Sequence, residues 1–196
     1  MVSKFVLLVI FIFHIVCAPA FAEEKLVEQE KTLNVANICG AEITFTAPYQ
    51  HNESNYKVSD VIQVNIVQYL SSKGLYGAEL ATNVQCQSLT GAKYTGSKQE
   101  WKNYFKNTGM ALTQKGAKNL QLTIAGTETK AYQGKLPNRE YKFSGDFNEG
   151  AQVIFNLAIL DIKSNRMYSI SVSGSYKIEK YILGEFNRIV TSFNLL

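Results

Sequence analysis

The sequence predicts an α+β protein built on an antiparallel β-sheet, and three observations carry that expectation. Residues 119–175 read as successive strand patterns separated by turn residues rather than by helices. Two amphipathic helices stand apart from those strands, one near the middle of the chain and one at its C-terminal end. The regular strand–helix alternation of a parallel sheet is missing.

The chain opens on a segment to be set aside from the fold. Met1 to Ala22 carries Lys4, an apolar run from Phe5 to Val16 and the small-x-small ending Ala20-Phe21-Ala22, which is the pattern of a secretory signal peptide cleaved near Ala22. The run is well short of the roughly 20 apolar residues that cross a bilayer as a helix, and no later segment is longer, so no transmembrane helix is expected. Cys17 would suit a lipoprotein if a small residue preceded it, but Val16 stands there and lipidation is not expected. The protein is therefore expected to be periplasmic or secreted. Glu23 to Lys31, "EEKLVEQEK", is charged with little to bury and reads as a tether. Residues 32–196 have the length of a single domain with its own core.

Within that domain, "AEITFTAPYQ" alternates Ile43, Phe45 and Ala47 against Glu42, Thr44 and Thr46, a half-buried strand ending at Pro48. His51 to Ser59 is polar and reads as a loop; it contains the sequon Asn52-Glu53-Ser54, which matters only in a eukaryotic host. "DVIQVNIVQYL" is β-branched and reads as a strand, and a short strand is expected near Val84 to Leu89. "SKQEWKNYFKNTG" reads as a helix. Ser97 and Glu100 form a capping box; Trp101, Tyr104, Phe105 and Thr108 fall on one face, and Gly109 is placed to end it. "NLQLTIAG", "ETKAYQG", "REYKFSG" and "AQVIFNLAIL" follow as strands, and a turn at Ser164-Asn165 leads into "MYSISVSG" as a hairpin. In that last strand Tyr168, Ile170 and Val172 share the face that packs under a helix, while Met167, Ser169, Ser171 and Ser173 line a polar or thinly covered face. Ile178, Tyr181, Ile182, Phe186, Ile189, Val190 and Phe193 form the stripe of the closing helix, broken only by Glu185.

Composition narrows the function classes. Twenty basic against 16 acidic residues give +4, and loss of Lys4 leaves +3, too weak a bias for nucleic acid as a general partner. Cys39 and Cys86 alone remain after cleavage, and in an oxidising compartment such a pair reads as a disulfide; the competing reading is a Cys39 thiolate activated by His51. Serine nucleophiles need a positioned base, and His51 is the only histidine past the signal peptide, so the serine row reads as scaffolding. "GAKYTGSK", Gly91 to Lys98, has Gly-x4-Gly and is followed much later by an apolar run ending in Asp161. A phosphate-binding loop needs Gly-Lys-Ser/Thr, however, and Ser97 and Lys98 stand in the reverse order. Glu53 and Asp60 near His51 are too loosely spaced for a metal site. No cofactor, metal or catalytic residue is expected, although sequence alone does not show which carboxylates converge in space.

One charge feature remains. Lys93, Lys98, Lys102, Lys106, Lys115 and Lys118 face only Glu100 in their stretch, a local charge of +5, and Lys98, Lys102 and Lys106 recur every four residues along one side of a helix. They read either as a solvated face whose stems cover apolar surface or as a docking patch for an acidic protein or another anionic component of the cell envelope.

"NRMYSISVSG" followed by "EFNRIVTSFNLL", with its Ser192-Phe193 ending, resembles the closing signature of PsbP-like proteins, whose fold is shared with the Mog-type Ran-binding and DcrB-type bacterial envelope proteins. "GKLPNREYKFSG" is similar to their strand entry after a proline, and "ITFTAPYQ" to their early strand; Tyr49-Gln50 stands where a tryptophan often follows that proline. The resemblance implies an antiparallel sheet sandwiched by helices, an α/β/α sandwich, and an accessory role in binding other proteins. On it, the chain is expected to be an exported non-enzymatic binding protein, with a small-molecule carrier using a cleft between sheet and helix, or a hydrolase with an unrecognised site, as alternatives.

Overall fold

A computed structural model of the chain describes residues 34–125, 131–148 and 150–196. The expected signal peptide, Cys17 and the tether lie outside the described residues. In chain order the elements are β1 (Asn34–Ile38), β2 (Ala41–Phe45), β3 (Tyr49–Lys57), β4 (Gln63–Leu75), β5 (Ala78–Thr90), α1 (Lys98–Gln114), β6 (Lys118–Ile124), β7 (Asn138–Phe147), β8 (Gly150–Asp161), β9 (Arg166–Ser175), α2 (Glu179–Ser192) and β10 (Asn194–Leu195). Seven strands form one sheet in the order β3-β4-β5-β9-β8-β7-β6, and β1, β2 and β10 form a second, small one. Every pairing is antiparallel, so the protein is α+β as expected.

The alternation along β9 divides the interior into two layers. Tyr168, Ile170 and Val172 pack with Val84, Cys86, Leu157 and Ile159 against Ile182, Phe186, Ile189 and Val190 of α2 and Ile43 and Phe45 of β2. On the opposite face Met167 joins Ala158, Leu160, Tyr141 and Phe143 under Trp101, Tyr104 and Leu112 of α1. The helices therefore cover opposite faces of the large sheet, and hydrophobic burial on both drives the fold.

Local chemistry explains where the elements differ from expectation. Residues 51–57 are not a loop, and only Val58 and Ser59 lie in the turn that follows: Tyr49–Lys57 pairs with β4 over nine residues, and its polar side chains suit an edge strand, which gains by discouraging further pairing. β5 begins at Ala78, well before Val84, because Tyr76 and Gly77 both take positive φ and close a two-residue hairpin of the kind that matches strand twist. Ser97 caps α1 by accepting from the Glu100 N–H, and the Glu100 carboxylate reaches back to the N–H groups of Thr95 and Gly96. Gly109 does not end this helix. It stays helical over Phe143 and Leu120, and the stop comes at Gly116, whose φ of +95° lets the Ala117 N–H reach the Leu112 carbonyl. "ETKAYQG" is only partly described, and Ala131–Gly134 carries no strand. Asn165 turns β8 into β9 at positive φ while its amide donates to the carbonyls of Leu89 and Ala92, so this hairpin also fixes the path from β5 to α1.

In the closing helix Tyr181 is exposed, its ring tilted against that of Tyr76, rather than part of the buried stripe. Gly174 marks the closest approach of β9 to its surroundings: a Cβ there would lie 2.6 Å from the Glu79 carbonyl oxygen and 3.2 Å from Ile182. Gly174→Ala is expected to cost about 1–3 kcal/mol by overpacking, read from urea denaturation. An unchanged midpoint would show that β5 and α2 can move apart there.

Candidate functional site

The serine face of β9 is not wet. Ser169, Ser171 and Ser173 are buried, and strand register extends them into a polar belt across the sheet under α1. One row runs Gln68, Gln85, Ser169, Ala158; the next runs Leu70, Asn83, Ser171, Asn156, Tyr141. Gln85 is 0% exposed and Asn83 1%, which is unusual for uncharged amides unless their polar atoms are satisfied. Part of the belt is: Gln68 Nε2 donates to Asn83 Oδ1 at 2.9 Å, and Ser171 Oγ donates to Asn156 Oδ1 at 2.7 Å. Asn83 Nδ2 and both polar atoms of Gln85 have no hydrogen-bond partner.

α1 supplies the lid of this layer. Tyr104 and Tyr141 share a hydroxyl–hydroxyl bond of 2.9 Å, and burial pushes both phenols above their ordinary range, so they stay neutral. Thr108 Oγ1 is turned back to the Tyr104 carbonyl. Trp101 is held beneath the Arg139 guanidinium, 5.1 Å from the ring centre.

Toward the C-terminal end of α1 the layer opens into a hollow of about 810 Å³ between the helix and the sheet. Leu70, Ala81, Ser173 and Ile154 line its floor, Leu112 and Lys115 its helix side and Phe147 its flank. Asn83 sits one register step inward, beside Leu70 and two residues from Ala81 on the same face of β5. Glu79 and Lys177 stand at the rim. Desolvation lowers the Lys115 pKa, in keeping with an ammonium at the edge of an apolar cleft.

The structure scatters most of the residues singled out in the sequence. Lys98, Lys102 and Lys106 are exposed on α1, Lys93 lies in the preceding loop, Lys118 opens β6, and Lys115 belongs to the hollow instead. Among the described residues no carboxylate pairs with Lys93, Lys98, Lys102, Lys106 or Lys118. His51 stacks on Tyr69 and lies 3.4 Å from Glu53, whereas Asp60 pairs with Lys57. Cys39 and Cys86 are joined in a disulfide, which excludes the activated thiolate. Among the described residues no group of three metal-ligating side chains converges, and no helix is long and apolar enough to cross a membrane. Asn83, Gln85 and Gln68 went unnoticed in the sequence because polar residues alternating with Val84 and Cys86 are also what a solvent-facing strand shows.

Fold and site together define an α+β protein with a helix-covered polar sheet face that opens into a cleft. Compared with known proteins, the chain matches no family model and no curated protein sequence.

Proposed function

We propose that this protein is an exported, non-enzymatic binding module of the cell envelope that holds a small ligand in the hollow between α1 and the sheet. The hollow is the observation that carries the reading: its volume falls in the range of ligand sites, and its wall mixes apolar side chains with a few polar groups. The order of elements, with helices on opposite faces of an antiparallel sheet, supports the PsbP-like resemblance and hence an accessory role. A non-enzymatic reading is supported by the rim, where Glu79 is the only carboxylate among the lining residues, and by His51, which does not line the hollow. Such a module is expected to carry its ligand through gentle purification. Native mass spectrometry of protein from its own host should show an adduct that denaturation releases; a bare chain mass under all conditions counts against the reading.

The exposed lysines of α1 favour a second reading, an anionic envelope partner docked on the outer face of the helix. Replacing Lys98, Lys102 and Lys106 together with glutamine should weaken capture of that partner about tenfold at low salt and much less at high salt, since exposed charges are screened. Equal capture by both proteins at low salt would leave the lysines as a solvated surface.

A further inference from the structure

We infer that the anionic partner of the α1 lysines is an extended acidic segment of another protein, which adds as a further strand to the open edge of β6; the inference rests on the reading that those lysines dock a partner. β6 ends the large sheet and pairs only with β7 among the described strands, so alternate residues turn their N–H and C=O groups outward. After an irregularity between Lys118 and Gln121, its register with β7 is regular from Gln121 to Ile124. That stretch lacks the guards of the opposite edge. β3 carries His51, Asn52, Glu53 and Lys57, whereas Gln121 to Ile124 has no charge, and Leu122 and Ile124 are 40% and 52% exposed. Leu122 and Ile124 lie opposite Phe143 and Tyr141, and so on the sheet face that α1 covers.

The lysine row borders the same edge. Gly109 is the α1 position that looks toward β6, where a Cβ would lie 3.8 Å from Leu120 Cδ2. Lys106 and Lys102 precede it at spacings that share one side of a helix, and Lys98 continues the row one turn back. The exposed apolar pair is therefore flanked by cations, and among the described residues none of these three is ion-paired. This combination selects the class of partner. An open strand edge offers main-chain hydrogen bonds to an extended peptide, and every second side chain of that peptide faces α1. The added strand would lie about 4.8 Å beyond β6, with its carboxylates toward the lysine row and its apolar side chains beside Leu122 and Ile124. A second copy paired through β6 would bring two lysine rows together, which like-charge repulsion opposes. An anionic polymer without a peptide backbone would leave the edge groups and the apolar pair unused.

The test follows the backbone amide signals of α1 and β6 by nitrogen-15 NMR of the labelled protein at low salt. The probe is the acetylated and amidated peptide Glu-Thr-Val-Thr-Glu-Thr-Val-Thr-Glu, whose glutamates and valines share one strand face. It is expected to shift Gln121 to Ile124 saturably, with a dissociation constant in the millimolar range or tighter, and to slow hydrogen exchange there. Lys102→Gln and Lys106→Gln together should weaken it about tenfold, and the same peptide with lysine for glutamate should leave the signals in place. Proline in place of the two central threonines keeps the charge but prevents strand pairing, and should abolish the β6 response. If the proline peptide binds as well as its parent, or moves α1 signals alone, the lysines dock an anion but strand addition is overturned. If neither acidic peptide moves any signal of α1 or β6, both the docking reading and the inference fall. If the β6 signals instead move when the protein alone is concentrated, the edge belongs to a second copy and the inference is overturned.

Discussion

Replacing Cys39 and Cys86 together with serine is expected to lower unfolding stability by about 4 kcal/mol, the largest single loss the fold should show. The bond closes 47 residues of chain, and on the loop-entropy argument a cross-link of that span restricts the unfolded ensemble by that amount. The native structure gives the bond something to hold. Cys39 lies in the β1–β2 turn with φ of +49°, and its carbonyl accepts from Arg166 Nη1 at 2.6 Å and from the Tyr168 hydroxyl at 2.9 Å. Cys86 lies in the centre of β5 with no exposure. The disulfide therefore ties the small sheet to the middle of the large one. Urea denaturation of the double variant checks the magnitude, and a loss below about 1 kcal/mol would mean that residual structure already keeps the two segments close in the unfolded chain. Cys86 is sealed and Cys39 only partly buried, so dithiothreitol should attack the native bond at the Cys39 sulfur.

The parts of this molecule legible in its sequence are those where one physical requirement dominates. The α1 cap, the buried stripe of α2 and the β8–β9 hairpin each follow from a local pattern that tertiary packing did not overrule. β3 was not legible, because an edge strand exposes its side chains as a loop does, and only pairing to β4 distinguishes them. The end of α1 was misread because Gly109 offered an earlier stop; the decisive residue was Gly116, the one that must take a left-handed conformation. The candidate site was the least legible of all. Asn83, Gln85, Ser169 and Ser171 alternate with apolar residues as solvent-facing positions do, and no periodicity separates a polar face that meets water from one that lies buried under α1. Unpartnered amides inside a protein break the usual agreement between pattern and burial, and such breaks concentrate where a molecule does something besides fold.

Glu185→Ala is the second substitution expected to have a large effect, and it explains the one acidic residue in the stripe of α2. The Glu185 carboxylate takes hydrogen bonds from Arg188 Nη2 at 2.7 Å, Lys73 Nζ at 3.1 Å and Thr46 Oγ1 at 2.9 Å, while Arg188 Nη1 also donates to the Thr44 carbonyl. One carboxylate thus joins α2 to β4 and to the end of β2. Burial alone would raise its pKa, but the hydrogen bonds from Arg188, Lys73 and Thr46 outweigh it and hold the group at about 2 against an ordinary 4.5. Removing it leaves two cations without their partner. Breaking a buried pair costs about 3–5 kcal/mol, and since Lys73 and Arg188 keep some access to water the expected loss is about 2–3 kcal/mol at neutral pH. The sign of the pH dependence follows from the depressed value: the contribution is fully present above pH 4.5 and is lost as pH falls toward 2. Glu185→Gln keeps the shape and removes the charge, so the gap in stability between it and the native protein should close over that same interval. A gap that persists unchanged down to pH 2 would assign the loss to packing of α2 rather than to the carboxylate.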